Sequence, residues 1–359
     1  MLRIRRFLDV WRRYSPGALA SELRLPSAAV LVLSAASLIS PSAVAQTDGN
    51  ANDPAPDEIS YFGESVSSLN QWPSSSGWGI SYRKLWAPYL ATSLAYLNDG
   101  HFPGHHRDGV TGEVWLPVNF FSQHLTVSAG LGPFYYYDTT QADNGAGYAD
   151  THGWAWMFSL DAIYQLFGDR TGPFLEIRLD HTPSAKSIET TSIGLGIGIR
   201  TFSDIHSSDP TASEGFATNE AVAYYGKTVV NSFSSQTSRA VAAEYRRKIW
   251  QEMRVAIGFV NEGNAQLIRR SGVTAELWAE PSFNSGIWSI GAGLGGYSAI
   301  DKYRVTPGRH VSGVVSGTLS LRPPWPPLDG FDIRVLWHRI VTNYNRDTDI
   351  VLAGLGYRF

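Results

Sequence analysis

The chain has 359 residues, a formal net charge of −3, 35 glycines, 13% aromatic and 17% charged residues, and no cysteine. The near-neutral balance gives no general attraction to nucleic acid. Without cysteine there are no disulfides, no thiolate catalysis and no Cys-ligated metal site. After the N-terminal stretch no run of about 18 apolar residues occurs, which excludes helical membrane spans.

Residues 1–26 are basic, with Arg3, Arg5, Arg6, Arg12, Arg13 and Arg24, and precede the apolar run "SAAVLVLSAASLIS" and the small-residue site Ala43-Val44-Ala45. This is the three-part pattern of a secretory signal peptide, with cleavage expected after Ala45 and Gln46 as the new start. Residues 46–58, beginning "QTDGNANDPAPDE", read as a disordered lead-in, polar and rich in Pro, Gly and Asn.

Strand-like segments follow one another from residue 59. Eight are expected in the first half, near 59–68, 77–86, 88–98, 110–121, 124–137, 153–166, 173–181 and 190–202. They are rich in β-branched and aromatic residues and bounded by Gly, Pro, Asn and Asp. Tight connections such as "WAP" (86–88) alternate with long polar ones, "NDGHFPGHHRD" (98–108) and "DTTQADNGAGYADTHG" (138–153). Short and long loops in alternation, an even strand count and aromatics at strand ends are the marks of a transmembrane β-barrel.

The second half repeats the first. Tyr82–Phe134 laid over Tyr245–Tyr297 without a gap gives 16 identities in 53 positions, against roughly three expected from average residue frequencies. "RDGVTGEVW" (107–115) falls on "RSGVTAELW" (270–278). The division is therefore a first eight-strand half at 59–202, a polar linker at 203–218 and a second eight-strand half at 219–359. The chain stops on "DIVLAGLGYRF", with Val351, Ala353, Leu355, Tyr357 and Phe359 on one face. This resembles the C-terminal assembly signal of outer-membrane barrel proteins, which implies such a role for Leu355, Tyr357 and Phe359.

Charges recur at alternate positions: Glu176, Arg178 and Asp180 share one strand face, Asp332, Arg334 and His338 another, and Glu113 and Glu276 are equivalent in the repeat. At mid-membrane a basic side chain facing lipid costs about 2–4 kcal/mol. These eight residues are expected to line the interior.

Each half also resembles the lipid A 3-O-deacylase family of eight-stranded outer-membrane barrels. The resemblance rests on "YLNDGHF", on "GDRTGPFLEI" and on a strand carrying Arg and then His before the last strand. It implies a His with a Ser two residues later, and a Glu on the last strand. Here His338 is followed by Arg339 and Ile340, and His181 by Thr182 and Pro183. Leu352 and Leu195 stand where the acid is expected. Thr342 and Ser184 stand close enough in sequence to offer a hydroxyl, so His338, Thr342, His181 and Ser184 form a weak catalytic set. His101, His105 and His106 cluster loosely, but the repeat has Asn264, Ile268 and Arg269 there, so no metal site is expected.

The architecture expected is an all-β transmembrane antiparallel barrel, 16 strands built from a duplicated eight-strand unit, with two tandem eight-stranded barrels as the alternative. A wide lumen favours the first, because it would hydrate the inward charges. The function expected is an outer-membrane pore or export channel, for a secreted polysaccharide or another polar solute. The alternatives are a lipid A-modifying hydrolase and a structural barrel. Expected partners are outer-membrane lipid and lipopolysaccharide, the barrel-assembly machinery and periplasmic export components, with no cofactor and no nucleic acid.

Overall fold

The computed structural model describes residues 56–202 and 219–359, apart from 69–70, 103, 122–123, 142–146, 168–170, 184–188, 233–234, 251, 266–268 and 302–307. The signal segment and the 203–218 linker lie outside the described residues, as does most of the lead-in.

The first half contains β1 (Asp57–Ser68), β2 (Gln71–Ala87), β3 (Leu90–Phe102), β4 (His105–Phe120), β5 (Leu125–Gln141), β6 (Tyr148–Gln165), β7 (Gly172–Thr182) and β8 (Thr190–Thr201). They form a closed antiparallel barrel, sealed where Ile59 of β1 lies opposite Ile199 of β8. The second half contains β9 (Asn219–Val230), β10 (Thr237–Lys248), β11 (Met253–Asn261), β12 (Arg270–Ala279), the two-residue β13 (Ser282–Phe283), β14 (Trp288–Asp301), β15 (Gly308–Leu321), β16 (Phe331–Val341) and β17 (Thr348–Arg358). Pairing of β12 with β14 and of β17 with β9 closes a second ring of eight wall strands. The backbones of Asn219 and Phe359 exchange two hydrogen bonds, at 3.0 and 3.2 Å, so the terminal aromatic is part of that closure.

The sixteen strands are thus two tandem eight-stranded barrels, the alternative closure, and not one wide ring. The expectation of a wide lumen rested on the inward charges needing water. Instead, the arginines hold carboxyls from other strands across each narrow interior. β1 also begins two residues earlier than expected, taking Asp57 and Glu58 from the lead-in.

Two segments read as long loops are extended hairpins. Residues 98–108 continue β3 and β4 as far as the pair Phe102–His105, and residues 138–153 continue β5 and β6 as far as Gln141–Tyr148. Their polar composition marks strands that project past the bilayer. The turns need only a glycine in the left-handed region: Gly104 at φ +77° and Gly147 at φ +106°.

The outer walls are apolar. On β8 the outward residues Ile193, Leu195, Ile197 and Ile199 are all exposed, and on β12 so are Val273 and Leu277. No water-soluble protein leaves such a belt uncovered, whereas a barrel turns it to lipid. Closure gives every wall strand a hydrogen-bonded neighbour on both sides, as hydrocarbon requires.

Candidate functional site

The two interiors hold the charge. Even-numbered residues of β1, β5, β7 and β8 point inward, and so do odd-numbered residues of β2, β3, β4 and β6. Glu113, Glu176, Arg178 and Asp180 point into the first barrel, and Glu276, Asp332, Arg334 and His338 into the second. All eight are nearly inaccessible to solvent.

In the first barrel Arg83 and Arg178 are each shared by two carboxyls. Arg83 bonds Glu58 at 3.3 Å and also Asp161. Arg178 holds Asp180 at 2.8 Å through Nε and Glu113 at 2.8 Å through Nη2. Arg200 joins Glu58 at 2.8 Å, and Arg107 joins Asp99 through Nε at 2.7 Å. Glu64 also faces in, and Asp138 meets His105 at 3.0 Å. Carboxyls therefore run from one rim to the other and outnumber the four guanidinium groups.

In the second barrel, toward the rim that carries Asn219 and Phe359, the group that is shared is a carboxyl. One carboxyl, Glu280, is shared by four arginines: Arg246 at 2.6 Å, Arg254 at 3.3 Å, Arg322 at 3.1 Å and Arg334 at 3.2 Å. Arg334 also bonds Glu220 at 2.8 Å and Asp332 at 3.1 Å.

Equivalent positions of the sequence repeat make equivalent contacts. Arg83 stacks over Trp115 at 4.0 Å, and Arg246 over Trp278 at 4.4 Å. The fully buried Trp115 and Trp278 fill the two interiors. Each indole lies where Gly130 or Gly293 leaves room, since a Cβ there would come within 2.8 or 2.6 Å of the ring. Arg107 with Asp99 and Phe134 recurs as Arg270 with Glu262 and Tyr297. The halves diverge opposite the shared serine: Ser159 pairs across with Asp180, and Ser316 with His338.

That divergence creates a His–hydroxyl–carboxylate cluster inside the second barrel. Ser316 Oγ lies 2.5 Å from Glu276 Oε2 and 2.6 Å from His338 Nδ1. The hydroxyl has one proton, and the carboxylate takes it, so His338 donates to Oγ and cannot act as the base that frees a nucleophile. The weak catalytic set is not assembled. Thr342 Oγ1 bonds Asp347 at 2.9 Å rather than His338, and His181 bonds Thr191 at 2.9 Å. Ser184 lies outside the described residues. His101 and His106 stack at 4.2 Å on the β3–β4 hairpin, and no group of three metal-ligating side chains occurs among the described residues.

A second polar region, missed in the sequence, lies on the outer walls where the barrels meet. Arg339 faces outward from β16 yet is buried. It bonds Asp349 of β17 at 2.7 Å and Asp108 of β4 at 3.3 Å, and sits over the Tyr137 ring at 4.7 Å. Tyr96 bonds Asp108 at 2.8 Å and packs edge-on to Trp337 at 4.8 Å. Above it, on the far rim, the β16–β17 loop docks on β6. His152 lies 2.8 Å from the Thr342 carbonyl, and Asp347 N donates to Asp150 at 3.2 Å. Near the terminal rim Lys84 and Glu252 approach to 3.7 Å. The available signal was parity: Arg339 and Asp108 occupy lipid-facing positions of their strands, where a charge needs a partner off the lipid.

Leu355, Tyr357 and Phe359 all project from the outer wall, exposed, with the last two rings 6.5 Å apart.

No family model matches the chain, and no curated protein matches it either. Among solved structures, the N-terminal β-barrel domain of Pseudomonas aeruginosa OprF aligns at 15% identity and a TM-score of 0.33, covering 41% of this chain and 98% of that one. The attachment invasion locus protein Ail of Yersinia pestis aligns at 8% identity and TM-score 0.31, covering 40% and 96%. The Ralstonia pickettii toluene transporter TbuX aligns at 9% and 0.22, covering 89% and 93%. At these scores function is read from the chain's own side chains.

Proposed function

We propose that the protein is an outer-membrane barrel pair whose interiors are narrow, gated routes for water and small ions. The observation that carries this reading is the filling of both interiors with ion pairs. An eight-stranded barrel is just wide enough for side chains to fill. Apolar filling would stabilise it as well or better, because a buried ion pair is often matched by apolar residues of similar volume. A charged filling instead provides a polar path whenever pairs exchange partners. Arg83 and Arg178 each already hold two acceptors, so exchange requires a side-chain rotation rather than a break in the wall.

Single-channel recording of the purified protein in a planar bilayer tests this. Discrete small steps are expected for the wild type, and Arg178→Ala should raise the open fraction severalfold by removing the bridge between Glu113 and Asp180. A silent wild type and a silent variant, both folded, would leave a structural barrel without transport. That second reading is favoured by the way Trp115 and Trp278 lie across the interiors.

Export of a polysaccharide through a lumen finds no support, since both interiors are packed among the described residues. A lipid A hydrolase is likewise unsupported: the Ser316–His338–Glu276 group is enclosed by the wall, away from lipid. Removal of residues 1–45, insertion by the barrel-assembly machinery through the terminal aromatic face, and origin of the two rings by duplication complete the proposal. N-terminal sequencing of the membrane-inserted protein should begin at Gln46; retention of residues 1–45 would refute the cleavage.

A further inference from the structure

We infer that the outer wall of the second barrel, across β9 and β10, holds a phosphate-bearing lipid of the outer leaflet, with Lys227 and Arg239 on the phosphate and an acyl chain in the groove below them. Such a site is independent of any conduction through the interiors.

Lys227 of β9 and Arg239 of β10 lie directly opposite each other in the register, both on the outward face and both exposed. Like charges in that position repel. Neither side chain makes an ion pair among the described residues. The same wall offers no counterion at this level. Of the carboxyls in residues 219–280, Glu220, Glu244, Glu262, Glu276 and Glu280 are buried in the interior, and Glu252 lies at the opposite rim, in the turn before β11. Asp349 on the neighbouring β17 is already held by Arg339 at 2.7 Å and by Trp337 Nε1 at 2.9 Å. Arg269, immediately before β12, is exposed at the same rim as the pair. The group that completes these cations is therefore an anion from outside the protein, and a phosphate accepts from both a guanidinium and an ammonium at once.

The place of the pair selects the source of that phosphate. Two residues toward the membrane the outward positions are Tyr225 and Val241, opposite each other and exposed, so the cations sit on the upper edge of the apolar belt. Their rim is the one where the β16–β17 loop docks on β6, and from which the hairpins at 98–108 and 138–153 project. Long extensions mark the external side of an outer-membrane barrel, and short turns the periplasmic side. The phosphates within reach are then those of outer-leaflet lipid. Farther down the same two strands is a groove of about 590 Å3, floored by Ala221, Ala223 and Ala243 and walled by Tyr245, Leu355 and Tyr357. Lys227 and Ala223 are about 13 Å apart along the strand, within the length of a fatty acyl chain. A cationic head site above an apolar slot matches the two ends of one lipid.

Native mass spectrometry of the full chain in detergent, titrated with bisphosphorylated lipid A, tests this. Wild type should retain that lipid about fivefold or more over the same lipid stripped of its phosphates, because the charge-assisted bonds are then lost. Lys227→Gln with Arg239→Gln should abolish the preference. Ala243→Leu, which fills the groove from an exposed position, should weaken retention of both lipids alike. Arg247→Gln, which removes an exposed cation of β10 at the other rim, should change neither. Heat-modifiable gel mobility checks that each variant folds. Equal retention of the two lipids by wild type, or an unchanged preference in the Lys227–Arg239 double variant, overturns the inference. Unchanged retention in Ala243→Leu overturns the place given to the acyl chain. Displacement of the bound lipid by inorganic phosphate alone would show a free-anion site and overturn the lipid assignment.

Discussion

The two barrels have the same frame and differ in which charged group is shared. Each lays an arginine on a buried indole, Arg83 on Trp115 and Arg246 on Trp278, and each seals the adjoining strand with a glycine against that ring. Around this shared element the first barrel sets Arg83 and Arg178 each between two carboxyls, and the second gathers four arginines on Glu280, with Glu220, Glu244 and Asp332 beside them. The difference teaches that an eight-stranded interior can be knitted either by a guanidinium shared among carboxyls or by a carboxyl shared among guanidiniums. It also locates the weak point of each barrel, which is the shared residue and not the more numerous ones.

The largest effect should come from breaking that rule where it is most concentrated. Glu280→Gln leaves Arg246, Arg254, Arg322 and Arg334 without their common counterion. Breaking a buried pair from one side costs about 3–5 kcal/mol, and here four partners are affected. Asp161→Asn in the first barrel leaves Arg83 still bonded to Glu58, so a smaller loss of about 1–3 kcal/mol is expected. Urea unfolding in detergent, followed by heat-modifiable gel mobility, compares them. Equal losses would mean that sharing does not set the stability of these networks.

The strand pattern, the number of strands and the direction of the inward charges were all legible in the sequence, because a period of two and a lipid-facing belt leave few alternatives. Closure was not. Whether 190–202 seals against 59–68 or against 219–230 is a choice between two pairings of equally apolar strands, and nothing local in Ile193–Ile199 distinguishes them. What decides it is the mutual neutralisation of Glu58, Arg83, Asp161 and Arg200, four residues from four strands, which cannot be read from any one of them. The extended hairpins at 98–108 and 138–153 have the composition of loops, because strands outside the bilayer are as polar as loops. The Ser316–His338–Glu276 group was not anticipated either, since Ser316 sits on a different strand from His338 and only the register brings them together.

The seam is where the two barrels are compared directly, as they must fit each other. Arg339 faces Asp108 on one barrel and Asp349 on its own. If the seam holds the barrels side by side, Arg339→Ala strands two outer-wall carboxylates and should loosen the pair by about 2–4 kcal/mol. Adding Asp108→Asn should recover part of that loss, because the stranded charge is then gone. Cysteines placed across the seam, in a chain that has none of its own, report the docking by crosslinking yield. Additive losses would show that Arg339 and Asp108 act independently and that the barrels are held elsewhere.

The smallest effect expected is a pH dependence at the far rim, outside the membrane-spanning part. Asp347, in the β16–β17 loop, is buried and accepts hydrogen bonds from the backbone N–H of Thr342 at 2.6 Å and from its hydroxyl at 2.9 Å. Burial holds its carboxyl above the ordinary range, partly opposed by Arg339 and by the Thr342 bonds. A carboxyl raised in the docked loop binds more protons there than when exposed. Docking is therefore strongest below the ordinary aspartate value near 3.8 and weakens as the pH rises through the raised one. The dependence should weaken in Asp347→Asn, which keeps the shape and removes one titration, and should leave that of Asp150 across the contact, whose carboxyl burial pushes up to about 7. Protease sensitivity of the β16–β17 loop, measured at several pH values with the protein in detergent, reads it out. Increasing protection with rising pH would reverse the sign and show that Arg339 outweighs burial at this carboxyl.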